Sequence, residues 1–199
     1  MPPEGRQMIE QRDFVAVVSG LPRSGTSMMM RMLVAGGLPP VVDHERTAND
    51  DNPHGYFEFE PVKALKEDDS WVAKSKGQVV KVIYKLVYDL PIDVPYRIVF
   101  LQRDLGEVVA SQEKMLEREG RDPHAVDRDL MIKLFQGEVL DFQTWARAQR
   151  NIEILFVDYS AIVTEPEAAA QKIAEFFDCG LDVRAMAEAV DPTLYRNRA

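Results

Sequence analysis

Short apolar segments alternate with amphipathic stretches along the chain. The apolar runs are rich in Val, Ile, Leu and Phe, as expected of strands buried on both faces of a parallel sheet. They span residues 14–19, 79–84, 97–102 and 152–157. Patterns typical of helices span residues 26–35, 61–73, 105–118, 125–150 and 166–177, with one more short helical pattern near the end. This alternation is typical of βα units and predicts an α/β fold with a parallel sheet.

The helical stretch 125–150 is the longest of these patterns and carries an apolar stripe on one side. Gly137 lies in its middle and is the position where we expect an interruption, because glycine disfavours helix interiors. The stripe fits a core face or a subunit interface, and a core face is the simpler interpretation. A homodimer therefore stays open.

Composition narrows the class of protein. The chain has 199 residues, which predicts a single domain over residues 1–199. Its net charge is −9, so we expect no nucleic-acid partner, which would need a basic face. No apolar run approaches the ~18–20 residues of a membrane span, and residues 1–13 lack a secretory signal pattern. The lone Cys179 cannot form an internal disulfide, which fits a cytoplasmic location.

The loop after the first predicted strand has the glycine spacing of a phosphate-binding loop. Gly20 and Gly25 are separated by four residues, and a helix pattern follows, so free amides and the helix dipole favour an anion there. A loop that binds a nucleoside triphosphate has a lysine directly after the second glycine. That lysine is absent here, since Thr26 and Ser27 follow Gly25. Arg23 instead supplies a cation inside the loop. The simpler alternative is a tight βα turn with an exposed arginine.

Residues 20–27 (GLPRSGTS) closely resemble the 5′-phosphosulfate loop of sulfotransferases, which use 3′-phosphoadenosine 5′-phosphosulfate (PAPS) as donor. The form with arginine is most similar to tyrosylprotein sulfotransferases and many short bacterial members. The resemblance implies a three-layer parallel sheet flanked by helices, P-loop nucleoside-triphosphate-hydrolase-like. It also implies that Arg23, Ser24, Gly25, Thr26 and Ser27 bind the donor, with no metal required.

A second segment, residues 97–112 (RIVFLQRDLGEVVASQ), strengthens the resemblance. In sulfotransferases an arginine at a strand end and a serine on the following helix hold the 3′-phosphate of PAPS. Arg103 and Ser111 match that pattern in order and spacing. A guanidinium fork and a hydroxyl suit a phosphate dianion. The alternative is that Arg103 pairs locally with Asp104 or Glu107 and that Ser111 is an ordinary helix residue.

The resemblance covers about residues 14–177 but weakens towards the end of the chain. The Arg-Lys-Gly and Gly-Asp-Trp-Lys-Asn segments that close over PAPS in cytosolic sulfotransferases are absent. Tyr195, Arg196 and Arg198 are the residues available to replace them, although a basic tail without that role is the simpler interpretation.

Sulfuryl transfer needs cations near the leaving oxygen. Arg23 is the first candidate and Lys81 the second, because Lys81 interrupts an otherwise apolar run and lysines are seldom buried without a function or a partner. A half-exposed strand with a snorkelling lysine would explain it equally well. Lys85 is the neighbouring competitor.

A base must also receive the acceptor proton. In tyrosylprotein sulfotransferases a catalytic glutamate follows the loop arginine at a similar distance, and Glu45 falls there within the long polar segment 39–60. His44 is the second candidate, because imidazole titrates near neutral pH. Glu58 and Glu60, beside the aromatic residues 56–57, are third.

The sequence therefore predicts a sulfotransferase that moves a sulfuryl group from PAPS to a hydroxyl or amine acceptor, small molecule or peptide, and releases 3′-phosphoadenosine 5′-phosphate (PAP). Two alternatives remain: a P-loop phosphotransferase or kinase, weakened by the missing lysine, and a non-catalytic module that binds PAPS or PAP.

Overall fold

A computed structural model describes residues 12–43 and 57–191. Within these residues, four parallel strands form one sheet in the order β2-β1-β3-β4. The strands are β1 (Val15–Gly20), β2 (Val79–Lys81), β3 (Tyr96–Gln102) and β4 (Ile152–Asp158). Because all the strands are parallel, their carboxyl ends meet at one edge of the sheet, and that edge holds the candidate site.

The helices of the described residues connect and cover these strands. They are α1 (Thr26–Ala35), α2 (Tyr84–Val87), α3 (Leu105–Arg118), α4 (Arg128–Ala148), α5 (Tyr159–Thr164), α6 (Pro166–Phe177) and α7 (Val183–Glu188). Two short 3-10 segments, Glu60–Ala64 and Ala73–Ser75, precede β2.

Alternating side chains of β1 separate two hydrophobic cores. Ala16 and Val18 face the first core, which holds α1, α6 and α7, while Val15 and Val17 face the second core with α2 and α4. Helices therefore cover both faces, which confirms the predicted three-layer α/β architecture.

The second core is anchored by an aromatic contact between α4 and the sheet. The fully buried ring of Phe142 stacks on Phe100 of β3, with the ring centroids 4.7 Å apart. Replacing a buried phenylalanine by alanine typically costs about 3–5 kcal/mol. This contact fixes α4 against the face of the sheet that carries the second core.

The predicted helix over 61–73 and the predicted strand 79–84 are wrong in extent. Instead of a helix, two 3-10 turns form, and the Asp68 carboxylate accepts a hydrogen bond from the Ser70 N–H (3.0 Å). Such a local turn competes with helix formation. The strand stops at Lys81, and α2 begins at Tyr84, whose phenol hydrogen-bonds Glu138 of α4.

The expected interruption at Gly137 does not occur, since α4 runs unbroken through it. A β-carbon placed there would meet open space, so this glycine is exposed and costs only about 1 kcal/mol relative to alanine. Packing of Phe142 and Ala146 into the second core outweighs that cost.

Candidate functional site

The loop between β1 and α1 has a backbone that leaves helix amides free. Gly25 precedes α1 with a φ of +103°, and no side chain of the described residues caps the helix. The N–H groups of the first turn therefore point towards an anion-binding position. A β-carbon on Gly25 would lie 2.4 Å from the Tyr159 ring, so only glycine fits there. Thr26 and Ser27, both predicted to bind PAPS, are the first two residues of this turn.

Arg23 has a left-handed backbone, with a φ of 69°, at the centre of the loop. That conformation costs about 1–2 kcal/mol for a residue other than glycine. The Arg23 carbonyl accepts a hydrogen bond from Arg103 Nη1 at 3.1 Å, which helps to hold it. Strained backbone of this kind is commonly found at ligand sites.

Arg23 and Ser111 are joined directly. The Arg23 Nε–H donates to Ser111 Oγ at 3.0 Å, although the residues are 88 positions apart in the chain. The two sequence motifs, from the β1 loop and from α3, therefore meet in one cluster. The side chain of Ser111 is buried, as is that of Ser24. Ser24 Oγ has no hydrogen-bond partner among the described residues and packs against Gly20.

Arg103 forms an ion pair with Glu107, which was one of the two local partners considered in the sequence analysis. Its Nε–H donates to Glu107 Oε2 at 2.8 Å, and the two side chains are only 8% and 5% exposed. Asp104 has another role, since it caps α3 by accepting from the Glu107 N–H. The pair holds Arg103 beside the loop, so pairing with Glu107 and proximity to Arg23 occur together.

Tyr159 is a site residue to which sequence reasoning assigned no role. The Arg103 guanidinium lies over its ring, 4.6 Å from the centroid. Burial raises the pKa of the Tyr159 phenol and the Arg103 charge opposes that rise, so the phenol is neutral near pH 7. Its position directly after β4, at the carboxyl edge of the sheet, was the available signal.

Arg31 is a further cation that the sequence did not single out. It lies on α1 near Tyr159 and Asp191, and burial lowers its pKa from the ordinary value. Its Nε and Nη2 atoms are buried and have no hydrogen-bond partner among the described residues. Buried guanidinium donors without partners are costly and suit an anionic ligand.

Lys81 ends β2 rather than lying in the middle of a strand. It pairs in register with Val18 of β1, and its side chain is 10% exposed. Lys81 Nζ lies 3.6 Å from Glu58 Oε1. Lys85 instead binds Glu138 of α4, at 2.9 Å. The structure thus puts Lys81, and not its neighbour, at the end of a strand beside β1.

The structure describes two of the four candidate bases, Glu58 and Glu60. Glu45 and His44 lie outside the described residues, as do Tyr195, Arg196 and Arg198 of the tail. Glu58 approaches Lys81, whereas Glu60 is exposed and pairs with Lys63 at 2.6 Å. Of the third-ranked pair, only Glu58 is thus near a predicted catalytic residue.

The cluster concentrates positive charge in an acidic protein. Arg23, Arg103 and the amides of α1 offer charge-assisted donors suited to two acidic groups of one ligand. Among the described residues, no group of three metal-ligating side chains lies together. No helix in that part of the chain is long and apolar enough to cross a membrane.

Comparison with known proteins identifies related chains. The model of the family described as "Sulfotransferase domain" matches residues 14–197. Cytosolic sulfotransferase 7 of Arabidopsis thaliana is 24% identical over 198 residues, covering 87% of this chain and 59% of the relative. The chain thus spans less than two thirds of the length of that curated relative.

Solved structures share the fold. The sulfotransferase domain of the Synechococcus PCC 7002 olefin synthase has a TM-score of 0.52 at 16% identity, covering 92% of this chain and 80% of that one. The mouse sulfotransferase SULT7A1 complexed with PAP also has a TM-score of 0.52, at 14% identity, covering 92% and 67%. At such identities the similarity concerns the fold.

Proposed function

Since the chain belongs to the sulfotransferase domain family, we propose that it transfers a sulfuryl group from PAPS to a hydroxyl or amine of an acceptor and releases PAP. The observation that carries the proposal is the hydrogen bond from Arg23 to Ser111. It joins the loop suited to the phosphosulfate with the helix suited to the 3′-phosphate. PAP in the mouse structure supports the same donor.

The residues of this chain fit that donor. The uncapped start of α1, with Ser24, Gly25, Thr26 and Ser27, would hold the phosphosulfate through backbone N–H groups. Arg103 and Ser111 would hold the 3′-phosphate, with Arg31 as a further cation near Tyr159, over whose ring Arg103 lies. We therefore propose that the loop is a nucleotide-binding P-loop variant in which Arg23, between the two glycines, supplies the cation.

The donor, when bound, supplies an activated sulfuryl group on a phosphate leaving group. Arg23 and Lys81 would stabilise the negative charge that develops on the bridging and sulfuryl oxygens. Glu45 would accept the acceptor proton, and Glu58 is the second candidate because it lies 3.6 Å from Lys81 Nζ. A glutamate paired with Lys81 would also keep that ammonium oriented.

The base is assigned by three matched substitutions. We expect Glu45→Gln to lower kcat by about 10²–10⁴-fold, the usual contribution of a general base, with unchanged PAP affinity. Glu60→Gln is the control and should leave kcat within about twofold, because Glu60 is exposed and contacts Lys63. If Glu45→Gln keeps full activity and Glu58→Gln does not, the base is Glu58.

Transfer itself is tested by following PAP release from PAPS with an acceptor panel and no added metal. Ser111→Ala removes only the hydroxyl from a helix position that alanine favours. We expect about 5- to 10-fold weaker PAP binding, equivalent to about 1–1.4 kcal/mol. PAP binding without release from PAPS, for every acceptor, would favour the non-catalytic module instead.

The remaining assignments follow from the same proposal. We propose a single sulfotransferase-like domain over residues 1–199 and a cytoplasmic location, which the cytosolic relative supports. Its partners would be the donor and a small-molecule or peptide acceptor, without nucleic acid or membrane. A homodimer is testable by the mass measured in solution.

A further inference from the structure

The outer face of α4 carries apolar side chains that the fold leaves exposed. In this helix of 21 residues, Phe142 and Ala146 are the buried residues, and both lie near its C-terminal end. Leu130, Leu134 and Leu140 are 51%, 51% and 63% exposed. A single exposed leucine is ordinary on a protein surface, whereas several on one helix face mark an interaction surface.

Gly137 lies at the centre of this face. Residues three or four positions apart are neighbours on a helix surface, so Lys133, Gly137 and Asp141 follow one line along α4. Leu134 and Leu140 flank the glycine on its two sides, and all five residues are exposed. A β-carbon on Gly137 would meet open space. Because the distance between packed helices depends on the side chains where they cross, a second helix could approach closely at this glycine.

The face is complementary to itself. If a second copy of α4 runs antiparallel across it, about a two-fold axis at Gly137, each residue faces the one equally far beyond the glycine. Lys133 then faces Asp141 of the second copy, and Leu134 faces Leu140. The two-fold axis makes each contact reciprocal, which gives two ion pairs and two leucine contacts. A parallel arrangement would instead bring like charges together, which is unfavourable.

We propose that this face of α4 binds the same face of a second copy of the chain, in an antiparallel pair centred on Gly137. The proposal names the surface through which the homodimer considered above would form. It does not depend on the proposed reaction, because no residue of the donor site takes part. An anionic membrane surface fits less well, since Asp141 lies on the face and the chain has a net charge of −9.

The oligomeric state of the wild-type protein is tested first, by sedimentation velocity from low micromolar to several hundred micromolar concentration. One pair of helices is a small interface, so we expect a reversible dimer and not a permanent one. The measured mass should rise with concentration from that of one chain, 22.6 kDa, towards twice that value. The mass of a single chain throughout this range would overturn the proposal.

The pairing is tested by charge reversal. Lys133→Glu puts two carboxylates opposite each other at both ends of the pair, and we expect the dimer Kd to rise at least about tenfold, equivalent to about 1.4 kcal/mol. Lys133→Glu/Asp141→Lys restores opposite charges and should restore the wild-type Kd. The control is Lys172→Glu, which makes the same change in net charge at an exposed position of α6 and should leave Kd unchanged. A double variant as weak as Lys133→Glu would overturn the pairing.

Gly137→Gln tests the position of the crossing without loss of the fold. Glutamine favours helices and its β-carbon meets open space, so the free energy of unfolding of the single chain should not fall. Urea unfolding at a concentration below the dimer Kd measures it. The longer side chain would hold the two helices apart, and we expect Kd to rise at least about tenfold. An unchanged Kd would overturn a crossing centred on Gly137.

Discussion

The buried pair of Arg103 and Glu107 allows the proposed binding role of the arginine to be separated from its structural role. Their side chains are 8% and 5% exposed, and the bond between them is 2.8 Å. In Arg103→Met, the Glu107 carboxylate stays buried without this cation. Removing one partner of such a pair typically costs about 3–5 kcal/mol.

The double variant Arg103→Met/Glu107→Leu removes both charges and keeps apolar volume at both positions. Replacing a buried ion pair by apolar residues is often neutral or stabilising. We therefore expect its free energy of unfolding to return to within about 1 kcal/mol of wild type. Both variants lack the phosphate contact proposed for Arg103. A charge-assisted hydrogen bond contributes about 1.5–3 kcal/mol, so PAP affinity should fall about 10- to 150-fold in both.

Urea unfolding followed by circular dichroism measures the free energy of unfolding, and calorimetry measures PAP affinity. An unchanged urea m-value would show that wild type and both variants expose the same surface area when they unfold, so their free energies of unfolding can be compared. If the double variant regains wild-type PAP affinity together with stability, Arg103 acts only in the fold. That result would refute its assignment as a phosphate ligand.

Two further predictions concern the loop and the contact between α2 and α4. Gly25→Ala should weaken PAP binding at least about tenfold in calorimetry, because the added β-carbon would lie 2.4 Å from a tyrosine ring. Gly37→Ala is the control, because Gly37 has a similar φ of +102° and open space around it. That substitution should cost about 1–2 kcal/mol of stability and leave PAP binding unchanged. Burial tends to raise the pKa of Glu138, but hydrogen bonds from Tyr84 and a lysine outweigh it and lower the pKa below 4.5. The ionised Glu138 carboxylate therefore contributes stability above pH 4.5, and this contribution is lost as the pH falls through the lowered pKa. In urea unfolding below pH 4.5, the free energy of unfolding should fall less in Tyr84→Phe than in wild type. Equal acid sensitivity of both proteins would contradict the assigned cause.

The sequence was sufficient to predict a parallel sheet and to locate β1 and β3. Continuous β-branched runs have few alternatives to buried parallel strands, so β1 and β3 fall within a residue of their predicted bounds. Arg23 was expected in the loop after the first strand and Arg103 at the end of the third, and the structure has both there. Lys81 was expected within a strand and instead ends β2. Their roles in transfer stay predictions.

The features that could not be predicted from the sequence depend on contacts between residues far apart in the chain. The strand predicted over 79–84 stops at Lys81 because Tyr84 and Lys85 bind Glu138, a partner 54 residues from Tyr84 in the chain. Arg31 is one cation on a methionine-rich helix, and only its position beside Tyr159 draws attention to it. A cavity of about 260 Å³ lies between Phe100 of the sheet and Val139 of α4. It depends on how α4 packs against the sheet, which no local pattern encodes.

The central claim is that the site holds a ligand with a 3′-phosphate and a 5′-acidic group. Parallel calorimetric titrations of the wild-type protein with PAP and with ATP, without added metal, test it most directly. We expect PAP to bind at least about tenfold more tightly than ATP, because only PAP carries the 3′-phosphate that Arg103 and Ser111 would contact. Binding of neither nucleotide, or ATP binding that requires magnesium, would contradict it.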